Sequence, residues 1–202
     1  KALVLGCSHA AGSEMNNGIN KSYPMILAQK MGTDADNQSI PGGSNDAMFR
    51  IFENYVDLEK ITSKDIVIAC WTGSWRTEVL HENQWMPIAG GYSPTKISEY
   101  IKQWTVHDDG DWKWRLNKIK NIIALNEIAI NIGIRVININ SFNYIEGFDA
   151  MDLYKKYQWP TTETFCEWSI RQEYPHTLNG HFFEAAHEHF AEHILQQTNL
   201  LC

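Results

Sequence analysis

The sequence predicts a three-layer α/β/α sandwich, with a central parallel sheet of about five strands in flavodoxin-like order and helices on both faces. Three observations lead there. The segments at 2–5 and 65–71 are short and apolar on both faces, as strands buried inside a parallel sheet must be. Segments with helical spacing of apolar residues follow each of them. Strand then alternates with helix to the end of the chain, which is the pattern of repeated βαβ units.

The elements follow in order. "ALVL" at 2–5 is a strand stopped by Gly6. "SYPMILAQKMG" at 22–32 is a helix with Met25, Ile26, Ala28 and Met31 on one face and Gly32 as its C-cap. "ADNQSI" at 35–40 is a short second strand that runs into the turn Pro41-Gly42-Gly43. Ser44 and Asn45 cap the next helix, whose apolar positions include Met48, Ile51, Phe52 and Val56. "DIVIACW" at 65–71 is the clearest strand. A less regular stretch occupies about 72–111, and a long amphipathic helix is expected over 112–132. "IRVININ" at 134–140 is the fourth strand, 141–175 is loop-rich with short helices, and 180–198 is the last helix. Its buried stripe is expected to be Phe183, Ala186, Phe190 and Ile194.

The 202 residues carry no internal repeat and no dividing linker, so 1–202 reads as a single domain with a loop-rich insertion at about 72–111. Composition is 44% hydrophobic and 20% charged, ordinary for a globular protein. The net charge of −7, without a basic block, argues against nucleic-acid binding and against docking on anionic membranes. No window approaches the ~20 apolar residues of a membrane span. Cysteines at 7, 70, 166 and 202 are far apart, with no CxxC pair. They are expected to be free thiols of a reducing compartment, and the four-residue apolar start reads as a strand and not as a signal peptide, so a cytoplasmic location is expected.

An open parallel sheet places its working site beyond the C-terminal ends of the strands. Gly6-Cys7-Ser8-His9, the turn 41–45 and Thr72-Gly73-Ser74-Trp75-Arg76 all arrive there, and "EYPHTLNGH" at 173–181 precedes the last helix. Together they supply a serine, a histidine with an acid three residues before it, and backbone N–H groups on glycine-rich turns. Those are the parts of nucleophilic acyl transfer.

This layout resembles the SGNH, or GDSL-type, hydrolase superfamily. The family's Gly-Asp-Ser pattern after the first strand is matched by Gly6-Cys7-Ser8, with Cys7 in place of the usual Asp. Its second block, an Asn with a Gly five residues on, is matched by Asn37 and Gly42. Its Asp-x-x-His block is matched by Glu173 and His176, with Gly180 following. The third block, Gly-x-Asn-Asp, departs. Counted from Asp65 its Asn falls on Ser74, and counted from Gly73 it falls on Trp75; Ser74, Arg76 and Asn45 are the candidate stand-ins.

The resemblance implies an ester hydrolase that works through an acyl-enzyme, with no metal or other cofactor. Ser8 is the nucleophile, His176 the base and Glu173 its orienting acid. Ser8 and Gly42 supply backbone oxyanion donors, joined by Ser74 or Asn45. Trp71, Trp75 and Arg76 are expected at the substrate, a small-molecule or glycan ester. An acyltransferase using the same serine, and a non-catalytic ligand- or carbohydrate-binding protein that keeps the fold, are the alternatives.

Several residues have competing readings. Cys7 as nucleophile is disfavoured because a side chain adjacent to Ser8 points elsewhere. His9 is read as a polar residue lining the loop, too close in sequence to swing onto Ser8 Oγ. His181 competes with His176 for the role of base. "HFAEH" at 189–193 matches a zinc pattern, but the stripe of the last helix turns His189 and His193 toward solvent and no third ligand is evident.

Overall fold

The computed structural model describes residues 1–16, 18–81, 83–88, 110–142 and 148–197. Its central sheet contains β1 (Ala2–Leu5), β2 (Ala35–Asn37), β3 (Ile66–Trp71) and β6 (Arg135–Asn140). The order is β2-β1-β3-β6 and every pairing is parallel, with Val4 opposite both Asn37 and Ile68, and Ile68 opposite Ile137. Four strands are therefore described where about five were expected. β2 is also shorter than predicted, yet the chain stays beside β1 to residue 40. Gln38 N–H reaches the Val4 carbonyl at 2.9 Å and Ile40 N–H the Gly6 carbonyl at 3.0 Å.

Alternation along each strand sends side chains to two cores. Val4, Ile68, Ile137 and Ile139 face α3 (Tyr23–Lys30), α7 (Phe165–Arg171) and α8 (Glu184–Gln197), and pack with Leu27, Phe165, Phe190 and Ile194. Leu3, Leu5, Val67, Ala69 and Trp71 face α4 (Asn45–Asp57) and α5 (Gly110–Asn131), and pack with Phe52, Ile122 and Leu125. The result is the three-layer sandwich predicted. Short helices α1 (Ser8–Ala11), α2 (Gly18–Lys21) and α6 (Phe148–Lys156) complete the described helices.

Trp71 is a correction. It was expected at the substrate, but it is fully buried and its indole N–H donates to Asn138 Oδ1 at 2.9 Å. Asn138 and Asn126 exchange a second pair of hydrogen bonds at 2.9 and 3.1 Å. The polar edge of the indole is thus satisfied inside the core, as a buried Trp requires.

The irregular stretch after β3 contains a hairpin, β4 (Thr77–His81) and β5 (Gln84–Ile88). It is anchored on α4 by Arg50, whose Nε and Nη2 meet the two carboxylate oxygens of Glu78 at 2.8 and 2.9 Å. Asp46 adds a second anchor by accepting from Thr77 Oγ1, Asn117 Nδ2 and Asn121 Nδ2. The rest of the expected insertion, 89–109, lies outside the described residues.

The last helix begins at Glu184, later than predicted, and Phe183 is 44% exposed instead of buried. Ala186, Phe190 and Ile194 hold the stripe as expected, and His187 joins it at 1% exposure. Its Nδ1 accepts the Tyr23 N–H at 3.1 Å, a first-turn donor of α3 that no helical carbonyl can reach. Burial pulls the His187 pKa down to about 3, with the nearby His181 adding to the shift and a hydrogen bond with the Phe182 backbone opposing it.

That neutral histidine makes stability depend on pH. The unfolded chain protonates His187 below about pH 6.5, whereas the folded chain keeps it neutral to about pH 3. The unfolded state therefore binds more protons between those values, and stability falls with falling pH. Between about pH 6.5 and 5 the loss from this group is expected to be about 2 kcal/mol. Urea melts across that range should show the slope, and His187→Gln should reduce it, leaving the share of the other buried histidine, His9.

Candidate active site

The turn after β1 is built on Gly6. A Cβ there would lie 2.5 Å from Ala10 Cβ and 2.9 Å from Cys70 Cβ, so only glycine lets α1 start this close to β3. Cys7 is the N-cap residue of α1 and is fully buried, and Ser8 opens the helix at 5% exposure. Because β1 lies between β2 and β3, the chain leaves it toward one side and returns on the other. Ser8 thus stands at the switch point where open α/β sheets bind ligands.

Asn37 steadies this turn from the second strand. Its Nδ2 donates to the Ala10 carbonyl at 2.8 Å and its Oδ1 accepts from Ser39 N–H at 3.0 Å. The turn that follows closes through Gly43 N–H on the Ile40 carbonyl at 2.7 Å, with Gly42 at a φ of +74°. The backbone N–H groups of Ser8 and Gly42 meet no backbone acceptor among the described residues.

Asn45 takes a different role from the one expected. Its Oδ1 accepts from Thr72 N–H at 3.0 Å, and its Nδ2 lies 3.4 Å from the carbonyls of Thr72 and Gly73. With 1% exposure, its amide is turned to the loop after β3 and is engaged there, which removes it from the set of oxyanion donors. Ser74 is half-buried on that same loop. Trp75 folds its ring back over Gly73, where a Cβ would fall 2.2 Å from the ring. Arg76 lies over Phe142, its guanidinium carbon 4.8 Å from the ring centre.

His9 is buried among rings instead of lining the loop. Phe142, His181 and Phe165 lie 4.7, 5.1 and 5.3 Å away between centres, and its Nε2 is 3.3 Å from Cys166 Sγ. Burial first, then the neighbouring His181, His187 and Arg76, hold its pKa well below the usual histidine value. It is a neutral member of the wall.

His176 is exposed. Its Nδ1 lies 2.9 Å from the Thr177 carbonyl oxygen, which can only accept, so Nδ1 carries the proton and Nε2 keeps its lone pair. The residue sits in a tight hairpin closed by the His176–Phe182 bridge and by Thr177 N–H on the His181 carbonyl at 2.8 Å. Glu173 is exposed at a φ of 58°, and its N–H closes the end of α7 on the Ile170 carbonyl at 2.9 Å. No hydrogen bond joins the Glu173 carboxylate to His176 among the described residues.

Glu14 is the residue that the sequence reading missed. It accepts hydrogen bonds from Thr177 Oγ1 and Asn179 Nδ2, and its Oε2 lies 3.2 Å from His181 Nδ1. Those donors hold its pKa below the ordinary carboxylate value. Glu14 ties the loop after α1 to the hairpin that carries His176, and so joins the two ends of the chain at the site. His181 is therefore turned toward Glu14. On α8, His189 bonds to the Tyr174 hydroxyl and His193 stacks on Trp168 at 5.6 Å.

No protein-family profile and no curated sequence matches the chain. Solved structures do. TesA aligns over all of this chain and 99% of its own, at 14% identity and a TM-score of 0.60. A member of the lipolytic G-D-S-L family from Veillonella parvula covers 96% of both chains at 12% identity and a TM-score of 0.58. The psychrotrophic esterase EstA of a Pseudoalteromonas species, solved with monoethylphosphonate as inhibitor, covers 97% of this chain and 94% of its own at 11% identity, with a TM-score of 0.56. The chain has the fold of these proteins.

The buried clamp of Asn45 gives a stability prediction. Asn45→Ala leaves Thr72 N–H without its acceptor and should destabilise the protein by about 1–3 kcal/mol. Urea unfolding reads the loss, and amide hydrogen exchange at Thr72 should accelerate in the variant.

Proposed function

We propose that the protein is a serine ester hydrolase acting on small acyl esters through an acyl-enzyme. The observation that carries this reading is Ser8 at the sheet's switch point, with the N–H groups of Ser8 and Gly42 both without a backbone acceptor among the described residues. An oxyanion that develops as a carbonyl is attacked requires donors of that kind. The shared fold with a lipolytic G-D-S-L protein and an esterase supports the same chemistry.

In the proposed reaction Ser8 Oγ attacks the acyl carbon while His176 Nε2 takes its proton. The oxyanion rests on the backbone N–H groups of Ser8 and Gly42, with the Ser74 hydroxyl as third donor. As the tetrahedral adduct collapses, His176 returns the proton to the leaving alcohol. Water then attacks the acyl carbon as His176 takes its proton, and collapse of the second adduct returns that proton to Ser8 Oγ and releases the acid. The Thr177 carbonyl holds the imidazole in the required tautomer. Glu173 supplies negative charge nearby once the imidazolium forms. Trp75 walls the acyl group.

A fluorophosphonate probe should label the protein once, at Ser8, and Ser8→Ala should abolish labelling and hydrolysis of p-nitrophenyl acetate. His176→Ala should lower kcat by about 10²–10⁴-fold, the range for a lost general base. Glu173→Gln should cost less, about tenfold or under, because a carbonyl already fixes the tautomer that the triad acid otherwise sets. Label that persists in Ser8→Ala overturns the assignment of the nucleophile. No label and no turnover in the wild type indicates a binding protein on this fold.

A further inference from the structure

The loop after β3 carries a cation with no counter-charge among the described residues. Arg50 is met by both oxygens of Glu78, and Arg171 by both oxygens of Glu163. Arg76 has no such fork among the described residues. Its Nε and Nη1 are enclosed, and neither finds a hydrogen-bond acceptor. Its guanidinium lies instead against ring faces, 4.8 Å from the centre of Phe142 and 6.0 Å from that of Trp75. Ring faces attract a cation but satisfy none of its N–H groups, and an enclosed guanidinium without an acceptor is strongly disfavoured.

The position is as telling as the missing partner. Phe142 also packs on His9, the neighbour of Ser8 in the chain, at 4.7 Å. The charge of Arg76 reaches His9, where it adds to the lowering of the pKa by burial, and Cys166, where it opposes the rise that burial causes. Asn45 fixes the start of the same loop at Thr72 and Gly73. The cation is therefore held on a braced loop at the C-terminal edge of the sheet, on the side where Ser8 emerges. Arg76 as a whole is half-buried, so the side chain is not sealed from the surface. A planar guanidinium is the side chain best matched to a carboxylate oxyanion.

We propose that the acceptor missing from Arg76 is supplied by the substrate, and that the natural ester carries a carboxylate near its scissile bond. This inference rests on the ester-hydrolase reading of Ser8. It also runs against the net charge of −7, which disfavours anionic ligands in general, so a preference for one requires a local cause.

The test compares mono-4-nitrophenyl glutarate with its neutral counterpart, 4-nitrophenyl valerate. The wild type should favour the anionic ester by at least about tenfold in kcat/KM, the preference should sit mainly in KM, and added salt should weaken it. Arg76→Gln should bring the ratio to about one or below, and Arg76→Lys, which keeps the charge without the planar fork, should fall between. A wild-type ratio of one or less, or a ratio unchanged in Arg76→Gln, overturns the proposal. Calorimetric titration with glutarate separates this from the failure of the hydrolase reading. If neither ester is cleaved but glutarate binds the wild type and not Arg76→Gln, the anion site stands alone. If glutarate does not bind the wild type, the anion site is overturned.

Discussion

The site depends on a missing side chain. Gly6 lies where a Cβ would collide with Ala10 on one side and Cys70 on the other, 2.5 and 2.9 Å away. Without that atom β1 turns directly into α1 against the face of β3, and the first residue of the helix emerges at the mouth of the sheet. The same turn sends Cys7 inward. Cys7 is completely buried and behaves as a small apolar group of the core. A carboxylate there would need a partner inside the protein. Lys118, whose charge interacts with Cys7, is itself buried, and burial draws its pKa down to about 7, with Cys7 acting the other way. An uncharged Cys7 at this position thus fits an interior that avoids a second buried charge.

The far end of the chain is brought to this turn by polar contacts. Glu14 takes two donors from the hairpin 176–182, and Lys21 pairs with Glu184 at 2.8 Å just beyond it. Exposed ion pairs contribute little to stability. The Glu14 cluster is different in kind, because one carboxylate gathers Thr177, Asn179 and His181 and so sets where the hairpin sits relative to Ser8. Position, more than stability, is what these contacts supply.

The fold was legible because its signals are local. The apolar runs of β1, β3 and β6 and the helical stripes of α4 and α8 each state their burial within a few residues. The parallel sheet alone says where a candidate site is to be sought. Long-range pairing was not legible. Nothing in the sequence around Trp71 indicates that its N–H would be met by Asn138, 67 residues away. Nothing near Glu14 points to Thr177 and Asn179. His187 illustrates the same limit. A histidine on a buried stripe reads as a surface residue until the Tyr23 N–H that it satisfies is known. Asn45 was recognised as a functional-looking polar residue, but only the geometry shows that its amide braces the loop instead of facing the substrate.

Burial also sorts the histidines near the site into roles. His9 and His187 are enclosed, with 2% and 1% exposure, and both are held neutral by desolvation. An imidazole in such a place cannot take and return a proton in each cycle without charging an apolar interior. They serve instead as aromatic packing, His9 against Phe142 and Phe165, His187 against Phe165 and Tyr23. His181 has Glu14 at its Nδ1 and the ring of His9 at its face. His176 alone of this group is exposed, with one nitrogen committed to a backbone carbonyl and the other uncommitted. Water would hydrate an imidazolium at that position. Burial thus adds to the short chain separation that already counts against His9, and access to solvent is the physical reason that a base is sought on the distant hairpin.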